Sequence, residues 1–167
     1  MTNAPSPMAT LDTGAIELIG RHCLIAELLA DGIEAALPIR DRGVDLIAYL
    51  ETHENIDRFY SLPIQLKVSS RRSFSLDKKY QSIRALLLVY VWGATGPEVE
   101  REFYAMSYAQ AEKILFAMKY AATDSWKLDH YYATSKPSKK LIEAMKPYRM
   151  IRGSWAALVT KQAESDE

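Results

Sequence analysis

The chain has 167 residues, of which 49% are hydrophobic and 25% are charged, the proportions of a soluble globular protein with one domain. These proportions exclude a disordered chain and a collagen, and the single cysteine excludes a disulfide-stabilised scaffold. Because 21 basic residues balance 21 acidic ones, the total charge by itself predicts neither a nucleic-acid partner nor an anionic membrane.

The first 70 residues predict a helix followed by three strands. Asp12 or Thr13 is suited to cap a helix that runs to about residue 31, and Gly32 stands where a left-handed C-cap is expected. The apolar spacing predicts a buried helix face formed by Ile16, Ile19, Cys23, Ala26 and Ala30, widened by Leu24 and Leu28. Strands are predicted over 33–39, 44–50 and 59–68, with a polar loop over 52–58.

The following residues predict two more strands and two more helices. Residues 85–92 are apolar at nearly every position, as in a strand that is covered on both faces. A turn over 93–97 leads to a short strand over 102–106. Ser107 is suited to cap a helix that reaches about residue 120, and a further helix begins at 137 or 138 and ends near 146.

This order of elements predicts one α/β (α+β) domain with a central mixed sheet flanked by helices. We expect the domain to span residues 12–160, between a flexible leader over 1–11 and a polar tail over 161–167. The single cysteine, Cys23, favours the reducing cytoplasm. No stretch approaches the roughly 20 apolar residues that span a bilayer, and residues 1–10 do not resemble a secretory signal, so no membrane partner is expected.

Charge is segregated along the chain although its total is neutral. Residues 12–57 hold ten acidic residues and three arginines, whereas 67–79 hold five basic residues and one acidic residue. Residues 127–152 are also basic, with seven lysines or arginines and two acidic residues. Such a distribution is able to steer a polyanion and to hold a divalent cation, although solvated helix faces produce the same counts.

Asp45, Gln65 and Lys67 form the most informative group of polar residues. If the 52–58 loop turns near Asn55, Asp45 lies opposite Gln65 on the neighbouring antiparallel strand, where Cβ atoms are roughly 5 Å apart. Gln65 and Lys67 are two residues apart and therefore project from the same face. A carboxylate, an amide oxygen and an ammonium on one patch are suited to hold Mg²⁺ and to act on a phosphodiester.

Three segments carry a resemblance to a known family: AELLADG over 26–32, GVDLIAY over 43–49 and PIQLKVS over 63–69. Together they resemble the PD-(D/E)xK nuclease superfamily, in the variant with Q-x-K in place of E-x-K that is similar to archaeal Holliday-junction resolvases and uncharacterised bacterial relatives. The resemblance covers residues 14–70. It implies a restriction-endonuclease-like fold, a homodimer, and hydrolysis of nucleic acid, with DNA as the expected substrate and Mg²⁺ or Mn²⁺ as the cofactor.

The resemblance also implies a role for each site residue. Asp45 would be the central metal ligand, Gln65 the ligand from the next strand and Lys67 the catalytic lysine. Members of the family often carry a glutamate about eleven residues before the glycine that closes the first helix, and that position holds Arg21 in this chain. Glu17, one turn earlier on about the same helical face, is the candidate metal ligand and catalytic residue in its place.

Four basic residues follow the candidate site and are expected to bind nucleic-acid phosphates: Arg71, Arg72, Lys78 and Lys79. Each candidate also has a simpler interpretation. Asp45 would then pair with a nearby arginine, Gln65 and Lys67 would form the wet face of an exposed strand, and Glu17 and the basic residues would be solvated. Two other functions therefore stay open, an inactive nuclease-fold protein that binds nucleic acid or protein, and a protein-binding accessory or immunity factor.

Overall fold

The computed structural model describes residues 11–40, 42–51, 59–96 and 99–164. Over these residues the chain forms five α-helices: α1 Thr13–Ala30, α2 Tyr108–Ala117, α3 Asp124–Asp129, α4 Lys139–Met145 and α5 Trp155–Glu164. The same residues form eight strands: β1 Glu34–Ala36, β2 Leu46–Glu51, β3 Phe59–Val68, β4 Phe74–Asp77, β5 Leu87–Trp92, β6 Glu102–Ser107, β7 Tyr131–Thr134 and β8 Arg149–Met150. A 3₁₀-helix over Lys78–Ser82 follows β4 directly.

Six of the strands form a central mixed sheet in the order β1-β2-β3-β5-β6-β8. Neighbouring strands are antiparallel except β3 and β5, which run parallel. The connection between these two strands contains β4, which pairs with β7 in a separate two-stranded ribbon. The α+β class with a central mixed sheet flanked by helices is therefore confirmed.

Hydrophobic cores cover both faces of the sheet. Strand β5 is buried at all six positions, and its side chains alternate between two clusters. Leu87, Val89 and Val91 pack with α1 and α5, whereas Leu88 and Tyr90 pack with the β4–β7 ribbon, α2 and α4. The continuous apolar run of β5 follows from this double coverage.

Helix α1 begins where the sequence predicts, and its predicted buried face is confirmed at Leu24 and Leu28 but not at Ala26 and Ala30. Asp12 caps the helix by accepting a hydrogen bond from the Ala15 amide at 2.7 Å. The fully buried positions are Gly20, Leu24 and Leu28, while Ala26 and Ala30 are exposed. A Cβ atom at Gly20 would lie 2.3 Å from Cγ1 of Val68, so the missing side chain allows the helix to lie directly against the end of β3.

Several predicted boundaries agree with the structure and others are corrected. Strand β3 has the predicted bounds, and α2 and α4 begin at their predicted caps, Ser107 and Ser138. The strand predicted over 33–39 has only three residues, because Leu37 and Ile39 are exposed and leave the sheet. The first residues of the predicted polar tail, 161–164, form the last turn of α5, a helix that is held by Trp155 and Val159 in the core.

Some predicted segments lie outside the described residues, namely 1–10 of the leader, the loop over 52–58 and the end of the tail over 165–167. Other elements had no counterpart in the sequence-based prediction: the β4–β7 ribbon, α3, β8 and α5. Within the described part of the chain, no helix has the length and apolar character needed to cross a membrane.

Candidate functional site

Asp45 lies beside Gln65, as the mirror counting across the loop predicts. Leu46 pairs with Ile64 in the register of β2 and β3, and the Asp45 amide donates to the Ile64 carbonyl at 2.8 Å. Gly43 precedes this point with φ +89°, a conformation that residues with a side chain rarely adopt. The glycine turns the chain into β2 and thereby sets the position of Asp45.

The Asp45 carboxylate is held by two donors from β3. Its Oδ2 accepts hydrogen bonds from the Gln65 side-chain amide and from the Leu66 backbone amide, the latter at 2.7 Å. Nε2 of Gln65 also donates to the Leu66 carbonyl at 3.1 Å. Gln65 is only 8% exposed, so the interpretation that it lies on a solvent-exposed face of the strand is wrong. Both amide hydrogens are used, and the amide oxygen Oε1 is the remaining polar atom of this side chain.

Lys67 projects from the same face of β3 and is bound by Tyr80 of the 3₁₀-helix. Its Nζ donates to the Tyr80 hydroxyl at 3.0 Å and lies 4.5 Å from the centre of the ring. Tyr80 is 4% exposed, and its ring is also 5.0 Å from Nζ of Lys79. A buried aromatic ring with two cations beside it favours a fixed position for the ammonium of Lys67.

These side chains share one cavity of about 360 Å³ at the end of β3. Helix α1 contributes Glu17 and Arg21, which stand one turn apart on one helical face. The remaining wall is formed by Asp45, Gln65, Leu66, Lys67, Val68, Ser73, Ser75 and Tyr80. The structure therefore brings together the four predicted catalytic residues and adds Arg21 to them.

The ribbon strand β4 reaches the cavity because two buried aromatic residues of β5 hold its backbone. The Tyr90 hydroxyl donates to the Ser75 carbonyl at 2.8 Å, and Nε1 of Trp92 donates to the Ser73 carbonyl at 2.7 Å. Burial raises the pKa of Tyr90 well above its usual range, so this hydroxyl keeps its proton and remains a donor. The two serines are thus fixed at the cavity wall.

The cavity wall carries equal numbers of opposite charges, with the carboxylates of Asp45 and Glu17 facing the cations Lys67 and Arg21. Glu17 is exposed, whereas Asp45, Lys67 and Arg21 are partly buried. Among the described residues, no group of three His, Cys, Asp or Glu side chains is placed to hold a metal ion. The arrangement is therefore poorer in negative charge than a two-metal centre requires.

The oxygen atoms at Asp45 fit a single hard cation. Oδ2 of Asp45 and the Leu66 carbonyl oxygen both accept from Nε2 of Gln65, so two oxygens lie around this amide. A cation held by these oxygens and by Oε1 of Gln65 would replace the two hydrogen bonds of Nε2 and would require the amide to turn. Mg²⁺ binds through one or two carboxylates and otherwise keeps its waters, and Mn²⁺ prefers similar oxygen ligands. Asp45, Gln65 and the Leu66 carbonyl would hold such an ion.

The four basic residues predicted to bind phosphates lie in different environments and differ in their neighbouring acidic residues. Arg71 is exposed, and Nε of Arg72 lies 3.8 Å from the Glu102 carboxylate. Nζ of Lys79 lies 3.1 Å from Asp77, and the hydrogen bond with Asp77 is the largest cause of a raised pKa of Lys79.

A second cavity of about 480 Å³ shares Gln65 and Tyr80 with the first and is otherwise lined by Arg42, Gly43, Lys79, Ser82 and Ile83. Lys78 and Lys79 line a third cavity, with Asp77, Gln81, Ser82, Asp129 and His130.

Besides Arg21, three polar residues of the cavity wall were not predicted from the sequence: Ser73, Ser75 and Tyr80. They reach the site through β4 and the residues on either side of it, which are held by Tyr90 and Trp92 and by the pairing of β4 with β7, more than 50 residues later in the chain. The sequence does contain the alternation of Ser73, Phe74, Ser75 and Leu76, with polar and apolar residues in turn, which is the signal of a half-buried strand.

Comparisons of the chain with protein-family models, with curated proteins and with solved structures found no match in any of the three.

Proposed function

We propose that this cavity hydrolyses phosphodiester bonds of nucleic acid, with DNA as the substrate and one Mg²⁺ or Mn²⁺ as the cofactor. The observation that carries the proposal is the convergence of the Asp45 carboxylate, the Gln65 amide and the Lys67 ammonium on one cavity. The resemblance to the PD-(D/E)xK superfamily, with its restriction-endonuclease-like fold, supports the same reading. Glu17 belongs to the proposed site because α1 places it at the cavity wall.

Each residue then has a defined task in hydrolysis, in which water adds to phosphorus and one P–O bond breaks. Asp45, Gln65 and the Leu66 carbonyl would hold the cation, with Glu17 as a further carboxylate. When bound there, a divalent cation would acidify a water molecule and neutralise charge on the phosphate. Lys67 donates to the phosphate oxygens as negative charge develops on them, and Tyr80 fixes its ammonium in that position.

Supercoiled plasmid incubated with the purified protein tests this proposal. We expect nicking with Mg²⁺ or Mn²⁺ and none with EDTA, and we expect Asp45→Ala and Lys67→Ala each to abolish it. Lys113→Ala is the matched control, because Lys113 is an exposed residue of α2 outside the cavity wall. Nicking that persists in both site variants, or that does not need a divalent cation, would refute the proposed site.

An inactive nuclease-fold protein that binds nucleic acid is the second candidate, and two observations favour it. Nε2 of Gln65 already bonds the two oxygens that would receive a cation, and Arg21 balances one of the two carboxylates. DNA that is retained without nicking would support this function. If DNA is not retained even at low salt, where phosphate contacts are strongest, the protein-binding interpretation is favoured instead.

Two further predictions concern the state of the protein in the cell. The resemblance predicts a homodimer, which sedimentation equilibrium of the purified chain tests directly. The single cysteine predicts a cytoplasmic location, which fractionation of the source cells tests.

A further inference from the structure

Arg21 has a buried donor that no acceptor in the described part of the chain satisfies. Its Nε is shielded from solvent and makes no hydrogen bond there, although buried polar atoms almost always have a partner. Nε1 of Trp155 is the other such atom, but Trp155 lies in the apolar core beside Val159, whereas Arg21 lines the cavity. Arg21 therefore stands at the cavity wall with no acceptor for its Nε among the described residues.

Glu17 does not serve as that anion. The two residues are one helical turn apart, a spacing at which ion pairs form readily, yet no ion pair or hydrogen bond joins them in the structure. The helix cannot easily rotate to change this, because Gly20 lies between them and its backbone packs against Val68. Arg21 is thus held at the cavity by the packing of α1 and not by a partner on its own helix.

The wall around Arg21 is rich in hydrogen-bond donors. Lys67 adds a second cation, and the hydroxyls of Ser73, Ser75 and Tyr80 stand in the same wall. The Asp45 carboxylate is already hydrogen-bonded, since its Oδ2 accepts from the side-chain amide of Gln65 and from the backbone amide of Leu66. Two cations and several hydroxyls suit a tetrahedral oxyanion, and a guanidinium fits two oxygens of one phosphate.

We infer that Arg21 and Lys67 bind one phosphate group directly, and that this contact does not require a divalent cation. The inference rests on the proposed function for the identity of the anion, which is the phosphodiester that is cleaved. Arg21 then has a role that the glutamate expected at its position would not have. It binds the substrate, whereas Asp45 and Gln65 bind the cation.

Binding experiments in EDTA at low ionic strength test the inference with two probes, inorganic phosphate and a short fluorescent single-stranded oligonucleotide. Arg21→Gln and Lys67→Gln are each expected to weaken binding of both probes about tenfold or more, as for the loss of a charge-assisted hydrogen bond. Arg21→Lys is expected to retain part of the affinity. Arg152→Gln, at an exposed arginine before α5, is the matched control and should bind as the unmodified protein does. Thermal melting of each variant shows that it is folded.

The outcomes separate this inference from the proposed function. Loss of oligonucleotide binding in Arg21→Gln supports the inference, whether or not the plasmid is ever nicked. A protein that nicks plasmid but binds both probes equally well with and without Arg21 retains the proposed function and overturns the inference. If Arg21→Gln affects inorganic phosphate alone, the ligand is free phosphate and the assignment to the substrate is overturned.

Discussion

Replacing Gln65 by glutamate tests the geometry of the site more directly than removing any side chain. In the present structure Nε2 of Gln65 donates to Oδ2 of Asp45 and to the Leu66 carbonyl. Gln65→Glu keeps the shape of the side chain but replaces the donor Nε2 by a carboxylate oxygen. That oxygen then lies against Oδ2 of Asp45 and the Leu66 carbonyl oxygen, which are also acceptors. Without a cation the variant should therefore be less stable, and a cation placed between these oxygens should restore its stability.

The size of the effect follows from the two contacts and from burial. Losing hydrogen bonds to a carboxylate and to a carbonyl costs about 2–4 kcal/mol. Two unit charges about 4 Å apart repel by about 4 kcal/mol at an effective dielectric constant of about 20, and uptake of a proton by one of the two carboxyls sets an upper limit on this cost at neutral pH. Gln65→Met, which removes the hydrogen bonds but adds no charge, should thus be destabilised less than Gln65→Glu. Both losses are large beside the roughly 5–15 kcal/mol by which domains are stable.

Urea denaturation at neutral pH, with and without Mg²⁺, measures both effects. We expect Gln65→Glu to be the least stable of the three proteins in EDTA. Mg²⁺ at about a hundred times its dissociation constant should then return about 2.7 kcal/mol to this variant. Equal free energies of unfolding for Gln65→Glu and Gln65→Met in EDTA would show that the glutamine does not face Asp45 as described. A glutamate variant indifferent to Mg²⁺ would show that these oxygens do not form a cation site.

Three further predictions concern the packing and ionisation that support the site. Gly20→Ala places a Cβ 2.3 Å from Cγ1 of Val68, so it should lower the free energy of unfolding by about 1–3 kcal/mol and reduce nicking; an unchanged urea midpoint would contradict the close packing of α1. Asp31→Ala removes the carboxylate that accepts from the amides of Gly153 and Trp155 at the start of α5, which should cost about 0.5–2 kcal/mol in the same assay, while Asp31→Asn should cost less. Burial, with the nearby Glu102 charge, raises the pKa of Tyr104 to about 12. The raised pKa of Tyr104 therefore stabilises the folded protein fully below the unfolded pKa of about 10. This stabilisation is lost as the pH rises through the folded pKa. The melting temperature should fall over that range, and less steeply in Tyr104→Phe; parallel curves would exclude this residue as a cause.

The part of the site that could be predicted from the sequence depends on local signals. Strand β3 alternates apolar and polar residues from Ile64 to Val68, so the shared face of Gln65 and Lys67 follows from the period of two. The register with β2 then follows from the length of the loop alone, and it places Asp45 opposite Gln65. No tertiary information is needed for either step.

The part that could not be predicted depends on pairing between distant segments. Strands β4 and β7 have four residues each and lie more than 50 residues apart, so neither carries a signal that identifies the other. Tyr80 reaches Lys67 only because this ribbon packs on the sheet. The buried face of α1 was predicted in part: apolar spacing identifies Leu24 and Leu28, which are buried, but it also favours Ala26 and Ala30, which are exposed. It gives no signal for Gly20, where the absence of a side chain sets the contact.

Gln65 and Arg21 are the two positions at which this chain differs from the family that it resembles. Both residues make the cavity less negative. A carboxylate at each of these positions, together with Asp45, would set several negative charges against the single cation of Lys67, and such a wall is stable only when a metal ion is bound. In this chain the Gln65 amide bonds the oxygens that would otherwise repel, and Arg21 adds a second positive charge to the cavity wall without an ion pair to Glu17. The cavity is consequently neutral before any ligand enters. Under the proposed function, a phosphate bound to Arg21 and Lys67 would bring negative charge beside Asp45, and this charge would increase the attraction of the site for a divalent cation.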